Sequence, residues 1–201
     1  MLKTAFKTIV KGIAMIRPDF GWIEVIGSGA MYAGKTREFI KRIDELKWAK
    51  KKILIVKPML DDRYGESCVV SHNGDNVTAI NIKCPLEILD LIKRDSYDVV
   101  AIDEAQFFDK EIVQVIKDLR DKGLLVLITG LNTTAEGKPF GPIPEILCIA
   151  DNITILYGVC AVCGKPATKT FALFDKDQDI VVGGQGKYEP RCNKHWACNR
   201  D

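Results

Sequence analysis

The chain has 201 residues, enough for one domain of ordinary size or for one domain with a small appendage. Hydrophobic residues make up 47% and charged residues 28%, a composition that excludes wholesale disorder. The 29 basic and 27 acidic residues leave a net charge of +2, which makes no case for a nucleic-acid partner. No uncharged apolar run approaches the ~20 residues that a membrane-spanning helix needs, so we expect no membrane partner.

The N-terminal extension, residues 1–20, is the first predicted element. Lys3, Lys7 and Lys11 recur at four-residue spacing with apolar residues between them, a pattern typical of a short amphipathic helix that Pro18 would end. The lysines interrupt the apolar core that a secretory signal requires. We therefore expect a terminal helix that lies on its own protein or on a partner subunit, with a membrane-surface helix as the alternative.

Residues 21–157 alternate apolar runs with helical patterns. Continuous apolar runs are typical of strands buried on both faces, and their alternation with helices predicts a parallel α/β sheet flanked by helices. Helices are predicted after the first strand, over 86–93 and over 110–121, and a hairpin or extended loop over 68–82. The predicted strands span residues 22–26, 53–56, 97–102, 124–129 and 152–156.

From residue 158 onward, cysteine pairs, glycines and short β-rich pieces replace the helical patterns. So small a unit buries little core and needs a staple such as a metal ion. We therefore predict an α/β domain over 21–157 and a small metal-stapled domain over 158–201.

Residues 29–36 fit the phosphate-binding pattern G-x4-G-K-[ST] between a predicted strand and a predicted helix, the context that this pattern requires. Its glycines let backbone N–H groups curl around phosphate oxygens, and the helix N-terminus adds positive partial charge. In this pattern Lys35 reaches the β- and γ-phosphates and the Thr36 hydroxyl ligates Mg2+. A chance match in a glycine-rich turn is the alternative. The P-loop comprises Gly29, Ala30, Met31, Tyr32, Ala33, Gly34, Lys35 and Thr36.

Two carboxylates, Asp103 and Glu104, end the third predicted strand. In a P-loop fold an Asp at this position holds Mg2+, and we expect Glu104 to point elsewhere because side chains alternate along a strand. As a general base, Glu104 would activate water in an ATPase or a substrate hydroxyl in a kinase. A pocket that excludes water decides between the two. Two solvated carboxylates at a strand end are the alternative.

Cys160 and Cys163 form one metal-binding knuckle, and Cys192 and His195 form another. Two such pairs predict a structural, tetrahedral Zn2+ site that leaves no open coordination position, so the metal would fold the appendage and do no chemistry. Cys198 competes for the fourth place, which the spacing favours giving to His195. Free thiols or a disulfide are the alternative. Together with an odd total of seven cysteines, this pattern favours a reducing compartment such as the cytoplasm.

These motifs together resemble the type II thymidine kinases, the zinc-containing class to which the human cytosolic enzyme belongs. The match runs in order from about residue 22 to residue 196. Besides the P-loop and the knuckles it comprises Asp61-Asp62-Arg63-Tyr64, Val70-Ser71-His72-Asn73-Gly74, Asp103-Glu104-Ala105-Gln106-Phe107-Phe108, Lys138-Pro139-Phe140-Gly141 and Gly183-Gly184 with Lys187-Tyr188-Glu189.

The resemblance implies a RecA-like P-loop sheet and a small zinc-stapled, β-rich lasso that closes over the base. It implies that ATP phosphorylates the 5′-hydroxyl of thymidine or deoxyuridine in nucleoside salvage for DNA synthesis. Glu104 would take the hydroxyl proton, Lys35 and Arg63 would neutralise the transferring phosphoryl group, and Thr36, Asp103 and Asp61 would serve Mg2+. The nucleoside would meet Met31, Phe107, Leu131, Thr170, Tyr188 and the segment Val181, Val182, Gly183 and Gly184. The resemblance also implies a cytoplasmic homotetramer with thymidine triphosphate as feedback inhibitor.

Asn132 and Ala135 depart from the family's pattern, which usually has an Asp and an aromatic residue at these positions. The aromatic residue normally packs on the base, and losing a buried aromatic face costs ~3 kcal/mol or more. Either another side chain fills this space or the pocket takes a bulkier base.

Two other functions compete with the kinase. A RecA-like ATPase with a nucleic-acid-binding zinc unit would need a basic, aromatic-rich surface, but acidic residues are interleaved with the lysines of that unit. A nucleotide-binding switch or zinc adaptor without turnover has no reason to combine the acidic pair, the P-loop and Arg63.

Overall fold

The computed structural model describes residues 20–59, 68–70, 76–174 and 186–197. The helix predicted over residues 1–20 therefore lies almost wholly outside the described residues. So do Asp61, Arg63, Val181 to Gly184 and Cys198.

The described chain alternates strands and helices. The strands are β1 (Trp22–Ser28), β2 (Ile53–Pro58), β3 (Cys68–Val70), β4 (Asn76–Thr78), β5 (Ile80–Ile82), β6 (Val99–Ile102), β7 (Leu125–Leu131), β8 (Asn152–Ile155), β9 (Gly158–Val159), β10 (Pro166–Ala167), β11 (Lys169–Ala172) and β12 (Tyr188–Arg191). The helices are α1 (Lys35–Trp48), α2 (Glu87–Arg94), α3 (Glu111–Asp121), α4 (Ile143–Ile149) and α5 (Asn193–Ala197).

A six-stranded sheet in the order β5-β2-β6-β7-β1-β8 forms the centre of the molecule. Every neighbouring pair in it is parallel. Strand β7 is inserted between β1, which leads into the P-loop, and β6, which leads into the acidic pair. This is the RecA-like arrangement, so the predicted fold class is confirmed.

Helices cover both faces of this sheet, which explains why its strands are continuously apolar. Helix α1 packs Phe39, Ile43 and Leu46 into a core on one face. Helices α2, α3 and α4 close the other face. Neighbouring residues of β7 serve the two cores in turn, because side chains alternate along a strand. Among the described helices, none combines the length and the apolar character needed to cross a membrane.

The five predicted sheet strands and the three helices predicted within residues 21–157 are confirmed in order, but their ends differ. The sheet has a sixth strand that was not predicted, β5, which lies within the predicted hairpin region and pairs parallel with β2. The third predicted strand begins at Val99 rather than at residue 97, and β7 continues two residues beyond the predicted end to Leu131. Strands β3 and β4 pair antiparallel, as the predicted hairpin requires. Helix α4 was not predicted because it has only seven residues, beginning beside Pro142, and a short helix shows little periodicity.

Residues 158–174 and 186–197, the described part of the chain after 157, form two small antiparallel pairs, β9 with β10 and β11 with β12, followed by α5. This unit packs directly on the P-loop, because Ala30 is fully buried in a small cluster with Cys160 and Ala167. The exact boundary between two domains stays a prediction.

Candidate phosphate-transfer site and metal cluster

The P-loop begins with a turn that the buried Ser28 side chain organises at the end of β1. Its Oγ accepts a hydrogen bond from the Ala30 backbone N–H at 3.0 Å and donates to the Ala30 carbonyl at 2.9 Å. Gly34, just before α1, has a φ of 85°, a left-handed conformation that favours glycine. Lys35 and Thr36 therefore occupy the first turn of α1, where unpaired backbone N–H groups favour a bound anion.

The acidic pair lies where β6 ends, next to β7 and one strand away from β1, which leads into the P-loop. Asp103 is 6% exposed, and its carboxylate accepts a hydrogen bond from the Thr129 hydroxyl of β7. The same Thr129 oxygen accepts the backbone N–H of Glu104 at 3.3 Å. Thr129 thus contacts both members of the pair. This role was not predicted, because Thr129 is a single polar residue within an apolar strand.

The side chains of Glu104 and Asp103 have different hydrogen-bond partners, but not because side chains alternate along a strand, as predicted. Strand β6 ends at Ile102, and Glu104 has φ 51° and ψ 42°, the left-handed conformation, at the entry to a 3-10 turn over Ala105–Phe107. Strand alternation therefore does not separate the two carboxylates; a backbone turn does. A non-glycine residue in this conformation costs about 1–3 kcal/mol and is common at functional sites.

The charges of the pair influence each other. Burial, together with the negative charge of Glu104, raises the pKa of Asp103 to about 7, although Thr129 and the Lys35 ammonium act in the opposite direction. The buried Asp103 carboxylate beside the charge of the half-buried Glu104 suits a divalent cation, since Mg2+ binds oxygen ligands and offsets the repulsion of neighbouring carboxylates.

Gln106 contributes to the site, although the sequence analysis assigned it no role. It is 3% exposed, and its side-chain amide donates a hydrogen bond to the Glu104 carboxylate. Its amide oxygen accepts the Leu131 backbone N–H at 3.1 Å. Gln106 therefore ties Glu104 to the end of β7. The available signal was its place within the motif from Asp103 to Phe108, two residues after Glu104.

Some of the residues predicted to contact the nucleoside lie beside the P-loop. The Met31 backbone N–H donates to the Thr170 hydroxyl at 3.0 Å, which joins the P-loop to β11. Phe107 packs edge-on against Phe140 with ring centroids 5.5 Å apart. The end of β7 at Leu131 is buried beside Gln106. Tyr188 packs instead against Phe174, 5.3 Å between centroids, and its place relative to a base depends on the undescribed residues 175–185.

Asn132, one of the two departures from the family pattern, lies beside the end of β1. Its backbone N–H donates to the Ser28 carbonyl at 2.9 Å. Its Oδ1 and the Thr133 hydroxyl are buried and have no hydrogen-bond partner among the described residues. Unpaired buried polar atoms are rare in folded proteins, so this corner next to the P-loop fits a polar ligand.

The Cys/His cluster brings together all four predicted ligands. One donor atom each from Cys160, Cys163, Cys192 and His195 lies within 4.8 Å of the others. The Cys163 and Cys192 sulfurs are 3.8 Å apart, and His195 Nδ1 lies 3.7 Å from the Cys160 sulfur and 3.3 Å from that of Cys192. A tetrahedral zinc ion requires about 3.8 Å between sulfurs and about 3.6 Å between sulfur and nitrogen. The cluster therefore fits zinc.

The Cys160 thiol has the acid–base character of a metal ligand. Burial opposes its ionisation, but backbone N–H groups, those of Cys192, Val162 and Cys163, donate to its sulfur and lower the pKa of the thiol to about 5. The thiolate is the form that binds metal.

Comparison with known proteins places the chain in a family. The thymidine kinase family model matches residues 21–196. Among solved structures, the chain is similar to the X-ray structure of the Legionella pneumophila ATPase DotB, with 15% identity and a TM-score of 0.40 over 69% of this chain. The chain spans 36% of the length of that protein, and so distant a likeness bears on neither activity nor substrate. Because the family match includes the P-loop, the acidic pair and the Cys/His cluster, the chain belongs to the thymidine kinase family, a family of ATP-dependent nucleoside kinases.

Proposed function

We propose that this protein transfers the γ-phosphate of ATP to the 5′-hydroxyl of thymidine or deoxyuridine and forms the 5′-monophosphate. The observation that carries the proposal is the placement of Glu104. Gln106 donates to the Glu104 carboxylate and Thr129 accepts the Glu104 backbone N–H, at the same edge of the sheet as the P-loop.

Phosphoryl transfer requires mainly positioning and charge compensation. The backbone of residues 29–34 and Lys35 bind the triphosphate, while Glu104 accepts the proton of the attacking hydroxyl. Thr36 and Asp103 supply oxygen ligands for Mg2+, with Asp61 as a further candidate. When bound, Mg2+ neutralises charge on the β- and γ-phosphates. Arg63 is proposed, from the family resemblance, as a second cation on the transferring group.

A bound nucleoside would distinguish a kinase from an ATPase, and we propose that it binds beside the P-loop and β11. A nucleoside seated against Met31, Leu131 and Thr170 would displace water from Glu104 and leave a sugar hydroxyl as the nucleophile. Phe107 and Tyr188 are proposed to contact the nucleoside, and the backbone of Val181, Val182, Gly183 and Gly184 to read the pyrimidine edge. These roles follow the family resemblance.

The proposal is tested by incubating the zinc-loaded protein with ATP, Mg2+ and a panel of nucleosides that includes thymidine, deoxyuridine and deoxycytidine. We expect the 5′-monophosphate of thymidine as the main product, and omission of Mg2+ should abolish its formation. Hydrolysis of ATP at the same rate with and without nucleosides, and no nucleotide product, would favour the ATPase. The panel also decides what Asn132 and Ala135 do to base selection.

Assembly, regulation and location are further proposals. The family resemblance supports a homotetramer that thymidine triphosphate inhibits, and the reduced cysteines of a zinc site support a cytoplasmic location. Light scattering would measure the assembly, and thymidine triphosphate added to the kinase assay would measure the inhibition.

A further inference from the structure

Trp196, on α5, joins the Cys/His unit to the loop that follows β7. Its indole N–H is shared between the Ala135 carbonyl at 3.1 Å and the Thr170 carbonyl at 3.0 Å. Its backbone N–H donates to the Cys192 carbonyl at 3.0 Å. One residue therefore contacts the metal knuckle, β11 and residues 132–141, which we call the β7 loop.

The ring of Trp196 fits closely against the β7 loop. Gly137 has a φ of 78°, and a Cβ atom added there would lie 2.7 Å and 2.9 Å from two carbons of the indole. Real Cβ atoms do not approach so closely, so the ring requires a glycine at this position. The Lys169 ammonium lies 5.3 Å from the indole centroid, within range of a cation–π interaction.

A chain of hydrogen bonds continues from Trp196 to the P-loop. Thr170 is 3% exposed, and while its carbonyl accepts the indole N–H, its hydroxyl accepts the Met31 N–H at 3.0 Å and donates to the Gly29 carbonyl at 3.3 Å. Trp196 therefore connects β11, which contacts the P-loop, with the β7 loop.

We propose that Trp196 is a positioning residue for the nucleoside. It holds the carbonyls of Ala135 and Thr170 in one arrangement, so that β11 and the β7 loop form a preorganised wall of the pocket beside the P-loop. This inference rests on the proposed kinase function. Without the tether, only a fraction of molecules has the competent wall, and the apparent affinity for the nucleoside falls by that fraction. The P-loop binds ATP through its own backbone and meets Thr170 only at the Met31 N–H and the Gly29 carbonyl, so we expect a smaller effect on ATP affinity than on thymidine affinity.

The test compares Trp196→Phe, which keeps a ring but loses both hydrogen bonds, with Trp196→Ala. In Trp196→Phe we expect the dissociation constant of thymidine, measured by calorimetry, and the thymidine KM to rise about three- to tenfold. The KM for ATP should stay within about twofold of wild type, and the larger loss should occur in Trp196→Ala. Should Trp196→Ala fail to fold, Trp196→Phe alone decides.

Glycine variants provide a matched control. Gly137→Ala and Gly123→Ala both place alanine at a φ near 80°, but only at position 137 does the new methyl group meet the indole, since nothing lies within 4 Å at position 123. We expect weaker thymidine binding in Gly137→Ala alone.

Three results would overturn the inference: an unchanged thymidine KM in Trp196→Phe, an equal rise in both KM values, or equal effects of the two glycine variants. Failure of the wild-type protein to phosphorylate any nucleoside would instead overturn the proposed function.

Discussion

Replacing Gln106 by leucine tests how Glu104 is held for catalysis. The substitution keeps the approximate volume but removes the hydrogen bond to the Glu104 carboxylate and leaves the buried Leu131 N–H without its acceptor. A hydrogen bond to a charged group contributes about 1.5–3 kcal/mol, which corresponds to a roughly 10- to 150-fold lower kcat. The unpaired N–H costs about 1–3 kcal/mol of stability, and each kcal/mol lowers Tm by about 2–4 °C.

The assay measures kcat and the KM of each substrate together with Tm. Gln114→Leu is the matched control, because Gln114 is exposed and donates its hydrogen bond to Asp118 on the surface of α3. We expect the control to change neither kcat nor Tm appreciably. A Gln106→Leu protein with reduced Tm but wild-type kcat would show that Gln106 stabilises the fold without positioning Glu104 for catalysis.

Two further predictions concern the metal cluster and the acidic pair. Complete removal of zinc should expose residues 158–197 to proteolysis and abolish thymidine binding, while the parallel sheet stays folded. The reason is that a bound metal holds donors from two separate segments together. Retained thymidine binding by the metal-free protein would count against this prediction. In protein without Mg2+ and nucleotide, the raised pKa of Asp103 means that the native state binds more protons than the unfolded state between about pH 4 and pH 7, so stability falls as pH rises through this range. Asp103→Asn should therefore gain stability relative to wild type from pH 5 to pH 8 in thermal unfolding, and an equal difference at both pH values would contradict the assignment.

Local patterns were sufficient to predict the P-loop, the acidic pair and the Cys/His cluster. A left-handed glycine before Lys35 and a run of apolar residues before Asp103 are properties of a few neighbouring residues. The parallel direction of the strands follows from their alternation with helices, and parallel strands bring their carboxyl ends to one edge of the sheet.

Contacts distant in sequence could not be predicted in this way. Thr129 meets Asp103 across 26 positions, and Trp196 meets Ala135 across 61. Nothing in the neighbourhood of either residue distinguishes it from an ordinary strand threonine or a terminal tryptophan. The left-handed turn at Glu104 was missed because strand alternation was assumed to continue past Ile102, where the strand ends.

Glu104 is proposed to accept the proton of the nucleoside hydroxyl. The rate of thymidine phosphorylation by Glu104→Gln in a single turnover measures this role. The amide keeps the size of the side chain but cannot accept this proton, so the rate should fall by ~10^2 or more while ATP binding stays near wild type. Glu145→Gln, an exposed change on α4, is the control and should match wild type. If Glu104→Gln phosphorylates thymidine at the wild-type rate, Glu104 is not the general base.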